Sequence, residues 1–377
     1  MRIVTAGAGL RAGHVLTALC RAMPEARVVG YYDPAPGHAD MLPGDAARRY
    51  DSVADMLDGA RPDLFFVGSP NVFHLDQIRA GLAAGVRVFA EKPVVTTLED
   101  TFALAELLAK HGPERVMVGL VLRYSRHVTD LNAAIAAGQL GAIVSMEGSE
   151  HIAPYHGAFF MRDWRRHTRL SGGFMLEKCC HDLDIYNMIA GGRPMRAASF
   201  GGRRAFVPEH APARAMEVHR RKGSVWESAP DPFRSDADIV DHQTAILDYD
   251  SGPTLAFHTN INVPDEHRRF CVIGARGMAE GDFHRGTLRI TDALSGDRLL
   301  DADYTEDDAG GHYGADTAMA QDIAAYLREE TAALPVSVVD ALEAGVAALA
   351  LDQARQEGRV IDLRETWARF DAHGLRA

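Results

Sequence analysis

Cysteine is scarce: Cys20, Cys179, Cys180 and Cys271 are the only four in 377 residues, and none stands in a CxxC or other metal-ligand spacing. That excludes a disulfide-dense or zinc-stapled fold, and no metal site is expected. Adjacent Cys179 and Cys180 would point in different directions on a helix and are expected to be reduced and packed. No run of about 18 apolar residues occurs, so no membrane-spanning helix is expected. Positive charge is the minority sign, with 40 Lys and Arg against 52 Asp and Glu and a net charge of -12. Arg203-Arg204 and Arg220-Arg221-Lys222 are local groups in a loop-like stretch, not a basic face for nucleic acid. The first strand pattern begins at Arg2, which leaves no room for a signal peptide. The expected setting is a reducing cytoplasm, with neither nucleic acid nor membrane as partner.

What is present is enough apolar sequence, 47%, for a core in each of two domains. In the first part, strand-like runs are Arg2–Ala6, Ala26–Tyr32, Leu64–Gly68, Val86–Ala90 and Arg115–Gly119. Helix-like runs lie between them at Gly13–Ala22, Ala46–Tyr50, Val53–Gly59, Leu75–Ala84 and Leu98–His111. Such alternation predicts a doubly wound parallel sheet with helices on both faces. A helix at Thr129–Ala137 follows, and after Ile143 the texture changes. Longer strand patterns appear at Ile143–His151, Gln243–Asp248, Leu255–Ile261, Arg269–Ile273 and Thr287–Thr291, with a hairpin turn at Asp250-Ser251-Gly252. The tail reads as helices Thr317–Arg328 and Val338–Glu357, then Val360-Ile361-Asp362-Leu363. The expected class is therefore α/β: domain 1–122 with the parallel sheet, and an α+β domain 123–377 with a large, mostly antiparallel one. Residues 203–240 are rich in Pro, Arg and charge without a period, compatible with a lid, an interface loop or a poorly ordered insertion.

Gly7-Ala8-Gly9-Leu10-Arg11-Ala12 follows the first strand and leads into a helix, fitting G-x-G-x-x-A. The first glycine permits the tight turn, the second admits a pyrophosphate to the backbone, and the small sixth residue lets helix and strand pack. Asp33, at the end of the second strand, suits the adenosine ribose hydroxyls. The following Pro34-Ala35-Pro36-Gly37 has no arginine for a 2′-phosphate, so NAD is favoured over NADP. Ser69-Pro70-Asn71 ends the third buried strand, with His74 one turn on; Asn71 and His74 lie beside the nucleotide or cap the helix at Leu75. Glu91-Lys92-Pro93 closes another buried strand. Lys92 there would bring an ammonium to the edge where ligands bind, able to stabilise negative charge on a reacting oxygen.

Further on, Ser171-Gly172-Gly173 precedes a helical run stopped by Gly191-Gly192 and Pro194. At about 100° per residue, Glu177, His181 and Asp184 fall within roughly 60° of one another. Ionisable groups on one stripe of an apolar helix need partners, or form a site. Histidine suits proton transfer near neutrality, and a carboxylate one turn away can orient it. A buried structural network and a metal site are the competing readings of the same three residues.

Taken together, these motifs resemble the glucose–fructose oxidoreductase / inositol dehydrogenase / MocA (Gfo/Idh/MocA) family. Residues 1–120 resemble its nucleotide-binding half through Gly7-Ala8-Gly9, Ser69-Pro70-Asn71-Val72-Phe73-His74 and Glu91-Lys92-Pro93. Trp164-Arg165, the stretch from Gly172-Gly173 to Asp184, and the tail from Asp340-Ala341-Leu342 to Asp362-Leu363 resemble the rest. The resemblance implies that Lys92 and His181 are catalytic. Glu177 stands where many members carry Asp, one methylene shorter, and is expected to orient His181 or a substrate hydroxyl. Gly7, Gly9, Leu10, Arg11, Asp33, Ser69, Pro70, Asn71, His74, Glu91 and Lys92 are expected around the cofactor. Arg123, Tyr124, Trp164, Arg165 and Asp184 are expected around the substrate, and Arg165 could also meet the pyrophosphate. The implied activity is hydride transfer between a sugar or cyclitol hydroxyl and NAD(P). Relatives that use transient oxidation for glycosidase or lyase chemistry give the alternative, and a non-catalytic sensor is a third reading. The family's second domain usually offers its sheet for dimer formation, so a homodimer or homotetramer is implied.

Overall fold

The computed structural model describes residues 1–44, 47–214, 217–224, 226, 228–305 and 311–376. Strands β1 (Arg2–Ala6), β2 (Arg27–Tyr32), β3 (Arg48–Arg49), β4 (Leu64–Val67), β5 (Arg87–Ala90) and β6 (Val116–Val118) form one sheet in the order β3-β2-β1-β4-β5-β6. Every pair in it is parallel. Helices α1 (Leu10–Ala22), α2 (Val53–Ala60), α3 (His74–Ala83) and α4 (Leu98–His111) supply the crossovers. Ile3, Val4, Phe65, Phe66, Val88 and Phe89 are buried, the signature of a sheet covered on both faces. Helix starts carry their own side-chain stops: Ser52 accepts from the Asp55 N–H, and Thr97 from the Asp100 N–H. The chain moves outward from β1 through β2 to β3, then returns to β4 on the other side of β1. Loops leaving β1 and β4 therefore part at a switch point, where such sheets bind ligands.

Ala46–Tyr50 is not the helix its Ala-Ala-Arg-Arg composition suggested. Arg48–Arg49 instead form β3, pairing with Gly30 and Tyr31. The Tyr50 N–H donates to the Tyr31 carbonyl at 2.9 Å, and its ring fills a slot where Gly30 and Gly59 have no Cβ. Tertiary pairing overrides local propensity here; Ala46 itself lies outside the described residues.

The second sheet contains β7 (Ile143–His151), β8 (Pro194–Gly202), β9 (His242–Tyr249), β10 (Thr254–Asn260), β11 (His267–Gly274), β12 (Gly277–Asp282), β13 (Thr287–Asp292), β14 (Arg298–Asp303) and β15 (Ile361–Asp362). Their order is β14-β13-β12-β11-β7-β10-β9-β8-β15, antiparallel except for β7 with β10. The expected hairpin at Asp250-Ser251-Gly252 joins β9 to β10, with Asp248 opposite Thr254. Helices α5 (Arg126–Ala136), α6 (Pro154–Phe160), α7 (Thr168–Ser171), α8 (Phe174–Ala190), α9 (Ala315–Leu327), α10 (Val338–Glu357) and α11 (Arg364–Asp371) complete the fold. Helix α8 is sandwiched between the sheet at β7 and helix α10, while α9 returns to pack on α1 and α10 reaches α4. The last helices thus tie the second half to the first. Among the described residues, no helix is long and apolar enough to cross a membrane.

Residues 203–240, left open by the sequence, form an excursion between β8 and β9 that closes on itself. The Arg203 guanidinium donates to the carbonyls of Phe206, Phe233, Ser235 and Ala237. At the other end, the Asp241 carboxylate accepts the N–H groups of Arg204, Ala205 and Phe206. Residues 215–216, 225 and 227 of this stretch lie outside the described set.

Candidate active site

Two seams meet at the site, the β1–β4 switch point and the amino-terminal half of α8. Gly7 has φ +90°, and a Cβ there would come within 2.5 Å of the Gly68 carbonyl oxygen. Only glycine allows the turns after β1 and β4 to press together in this way. Ala12 is buried beneath them, close to Gly68, as the motif requires. Gly9 differs: a Cβ placed on it would meet nothing within 4 Å, and no side chain caps the α1 amino terminus. An open cradle above uncapped amides suits a phosphate. Asp33 accepts from the Ala8 and Ala35 N–H groups, both at 2.8 Å, one on each oxygen. Each oxygen keeps a further lone pair for a ribose hydroxyl. These residues fit a bound dinucleotide. Arg49 donates to the Asp33 carbonyl at 3.1 Å. It was missed in the sequence because a second strand, not the next loop, brings it there.

Several residues expected against the cofactor hold the protein to itself. Arg11 donates to Glu91 at 3.0 Å and to Asp316 of α9 at 2.7 Å, so its guanidinium is occupied. Leu10 is exposed. The Ser69 hydroxyl bonds Gln77 at 2.8 Å. His74 is fully buried, with Nε2 and Nδ1 each 2.9 Å from the carbonyls of Ser69 and Pro93. It is a strut between the loop holding Pro70 and the loop holding Lys92. The Asn71 amide donates to the Ser171 carbonyl at 2.9 Å and the Glu177 carboxylate at 2.6 Å. Asn71 therefore joins the β4 loop to α8.

Helix α8 starts where Gly172 and Gly173 both take positive φ, and at Gly173 an added Cβ would lie 2.6 Å from Asp352 of α10. The expected stripe runs along it, and each of its three groups finds different company. Glu177 accepts from Arg165 at 2.7 Å as well as from Asn71. Burial pushes its pKa up, but Lys92, Arg165 and these hydrogen bonds outweigh that and hold it below the usual range. Asp184 is gripped by both arms of Arg123, at 2.8 and 2.6 Å, and Arg123 continues to the Pro335 carbonyl at 3.0 Å. Burial nevertheless raises Asp184 to about 6, with Arg123 opposing. His181 is bonded by neither carboxylate. Its Nδ1 is buried without a partner among the described residues. Burial, followed by Lys92, Arg268, His312 and Lys178, pushes its pKa well below 6.5, so the imidazole is neutral at pH 7.

The expectation that Glu177 orients His181 is thus corrected. Glu177 holds Asn71, Arg165 and the end of Lys92 instead. Arg123 and Asp184, expected around the substrate, form a buried bidentate pair that ties α8 to the start of α10. Tyr124 is buried, and its hydroxyl has no partner among the described residues. The Arg165 guanidinium stacks 4.2 Å over the Trp164 ring and also grips Asp163 at 2.7 Å. No group of three or more His, Cys, Asp or Glu among the described residues is arranged to hold a metal ion.

Lys92 is the link between the seams. Its Nζ donates to the Glu177 carbonyl at 2.5 Å and lies 3.7 Å from the Glu177 carboxylate. That carbonyl is the one the helix pattern pairs with the His181 N–H. Lys92 and His181 are in this way held on one turn of α8. Behind Lys92 is a mostly apolar void of about 10 Å³ lined by Val94, Leu176, Leu342 and Leu349, too small for a substrate.

His312 and Asp316 were not foreseen. Gly311, His312, Tyr313 and Gly314 all take positive φ just before α9. Such a run for two non-glycine residues is rare. It sets the His312 ring 6.2 Å from that of His181, with its Nδ1 2.8 Å from Asp316. The i,i+4 spacing of His312 and Asp316 at a helix start was the available signal.

The family comparison decides the chemistry's general class. Residues 1–120 match an oxidoreductase family described as an NAD-binding Rossmann fold, and residues 132–363 match that family's C-terminal alpha/beta domain. The chain belongs to the Gfo/Idh/MocA oxidoreductase family. A putative oxidoreductase, YteT, from Bacillus subtilis is 24% identical over 319 residues, covering 72% of this chain and 74% of its own. The scyllo-inositol 2-dehydrogenase (NAD(+)) of the same organism is 23% identical over 274 residues, 72% of this chain and 69% of its own. The solved scyllo-inositol dehydrogenase of Lactobacillus casei, with bound NAD(H) and scyllo-inositol, superposes with a TM-score of 0.72 at 19% identity. It covers 96% of this chain and 99% of its own, which establishes the shared fold.

Proposed function

We propose that this family member transfers hydride between a secondary hydroxyl of a sugar, cyclitol or sugar derivative and a nicotinamide dinucleotide, NAD in preference to NADP. The observation that carries the reading is a neutral, buried His181 held within one helical turn of the Lys92 ammonium, beyond an open phosphate cradle. The dinucleotide, when bound, supplies the hydride acceptor. His181 takes the hydroxyl proton on Nε2, since Nδ1 is buried. Lys92 donates a hydrogen bond to the same oxygen and stabilises its alkoxide character, the kind of preorganised charge that lowers such barriers. Glu177 serves as a positioning residue: its carbonyl and carboxylate hold Lys92, and it locks Asn71 to Arg165. The relatives named for inositol oxidation support a polyhydroxylated substrate. Asp33 supports NAD, because a 2′-phosphate would face its carboxylate.

The test is absorbance of reduced nicotinamide with NAD, then NADP, across sugars and cyclitols. Growth of the band with wild-type protein, and its loss in His181→Ala and Lys92→Met, is the expected result. Undiminished turnover in both variants would refute the roles. Turnover of a glycoside with tightly retained NAD and no net reduction would favour the elimination chemistry of the alternative. One relative carries the name 2,7-anhydro-N-acetylneuraminate hydratase, which is why that arm is included.

A further inference from the structure

The 203–240 excursion brings one cation to the wall of the site, and that cation has no carboxylate of its own. Lys222 lies against α6, with Nζ 3.0 Å from His156 Nε2 and 4.6 Å from the centre of the Phe159 ring. Among the described residues no Asp or Glu comes within 4.0 Å of it, although its neighbours are all cations with partners. Lys178 has Glu150 at 2.9 Å, Arg165 has Glu177 and Asp163 at 2.7 Å each, and Lys92 has Glu177 at 3.7 Å. Asp163 is the carboxylate that reaches Lys222 electrostatically, and it is already taken by Arg165 and by the Ser224 hydroxyl at 2.6 Å. A partly buried ammonium left without a counter-ion is costly to keep.

We propose that Lys222 is a specificity residue that receives the carboxylate of an acidic sugar, so that the substrate class is uronate-like rather than neutral. A single negative charge completes the set, since among the described residues Lys92, Arg165, Lys178 and Lys222 face the three carboxylates Glu150, Asp163 and Glu177. The excess of positive charge is felt by His156 and by Lys222 itself. Burial, then Lys178, Lys222, Arg165 and Lys92, drive His156 well below its ordinary pKa. Burial and the same neighbours lower Lys222 to about 8. Lys222 and Arg165 both sit on the Phe159 ring, 4.6 and 5.5 Å from its centre, and Arg165 bonds the Glu177 carboxylate that Lys92 approaches, which connects the carboxylate anchor to the reacting groups. The anchor's own backbone is held: the Lys222 carbonyl accepts from Arg162 at 2.7 Å, and the Ser224 hydroxyl donates to Asp163 at 2.6 Å.

This inference rests on the hydride-transfer reading for its chemistry but is tested by binding. D-glucuronate, D-glucose and D-glucose 6-phosphate, and the galactose series alike, are titrated calorimetrically into protein saturated with NADH. The expected result is uronate affinity about tenfold or more above the neutral sugar, the scale of one charge-assisted hydrogen bond. Lys222→Met should abolish that ratio and Lys222→Arg preserve most of it, with neutral-sugar binding unchanged in both and no fall in thermal melting in Lys222→Met. Equal or better binding of the neutral sugars, tighter binding of the phosphates, or a ratio untouched by Lys222→Met would each overturn the proposal. Uronate binding through Lys222 without any oxidation by NAD or NADP would instead sink the hydride-transfer reading and leave the anchor standing.

Discussion

At the residue scale, if His181 and Lys92 act on one oxygen as proposed, their loss should be felt in turnover more than in substrate affinity. His181→Ala is expected to lower kcat by about 10²- to 10⁴-fold, the usual share of a general base. Steady-state kinetics with the best substrate checks this. The low pKa of His181 also has a sign. A base depressed below 6.5 is already deprotonated at neutrality, so with a neutral substrate, which does not use Lys222, kcat/KM should be flat just above pH 7. It should fall only on acidification, with a midpoint below the ordinary imidazole value; a midpoint above 6.5 would contradict a buried, cation-flanked base. Glu177→Asp asks whether the extra methylene matters. The shorter side chain cannot keep both Asn71 and Arg165, at 2.6 and 2.7 Å. Activity should drop while the pH midpoint stays put, because Glu177 does not bond His181. Both members of the proposed pair were legible as residues in the sequence, through a strand end and a helical spacing. Their mutual placement through the Glu177 carbonyl was not, since main-chain contacts leave no trace in side-chain identity.

At the element scale, α8 carries its polar stripe into the seam with the first half, where Glu177 meets Asn71 and Lys92. Asp184 and Arg123 are both largely buried, and removing one partner of such a pair leaves a charge stranded. Asp184→Ala should cost about 3–5 kcal/mol in urea unfolding. Pairing it with Arg123→Met should recover part of that loss, since the stranded charge goes too. The 203–240 excursion depends on Arg203 in a similar way. Arg203→Ala removes donors to five carbonyls, that of Pro232 included, and amide exchange should accelerate within this stretch and not in α8. Periodicity found most helices to within a few residues, because their apolar faces repeat. It misread Ala46–Tyr50 and passed over β14, a short polar edge strand, and β8 and β12, whose Ala, Ser and Gly residues carry little alternation of hydrophobicity. Those strands exist because neighbours present free edges in register.

At the scale of the whole molecule, acid stability should depend on the buried network beneath the site. Arg268 is clasped by Asp182 at 2.6 Å and Glu150 at 3.0 Å, and Glu150 also meets Lys178. Burial pushes Glu150 up, but Arg268 and Lys178 prevail and hold it below the usual carboxylate range. A carboxylate depressed in the folded state stabilises the protein above its unfolded pKa, and that contribution is lost as pH falls through the folded one. Unfolding free energy should therefore decline as pH drops below about 4.5 toward the folded value of Glu150, and Glu150→Gln should flatten that stretch of the curve. Denaturant titrations at stepped pH decide it. The sequence alone determined the parallel nucleotide-binding half, the mostly antiparallel second sheet, the open glycine turn and the resemblance to one oxidoreductase family. Local periodicity and short motifs are written in adjacent residues, so one chain suffices to read them. Tertiary structure alone decided that Arg11 belongs to Glu91 and Asp316, that Arg123 belongs to Asp184, and that His312 stands beside His181. Those pairings join residues up to 305 positions apart, and which charges neutralise one another is fixed only when the fold brings them together.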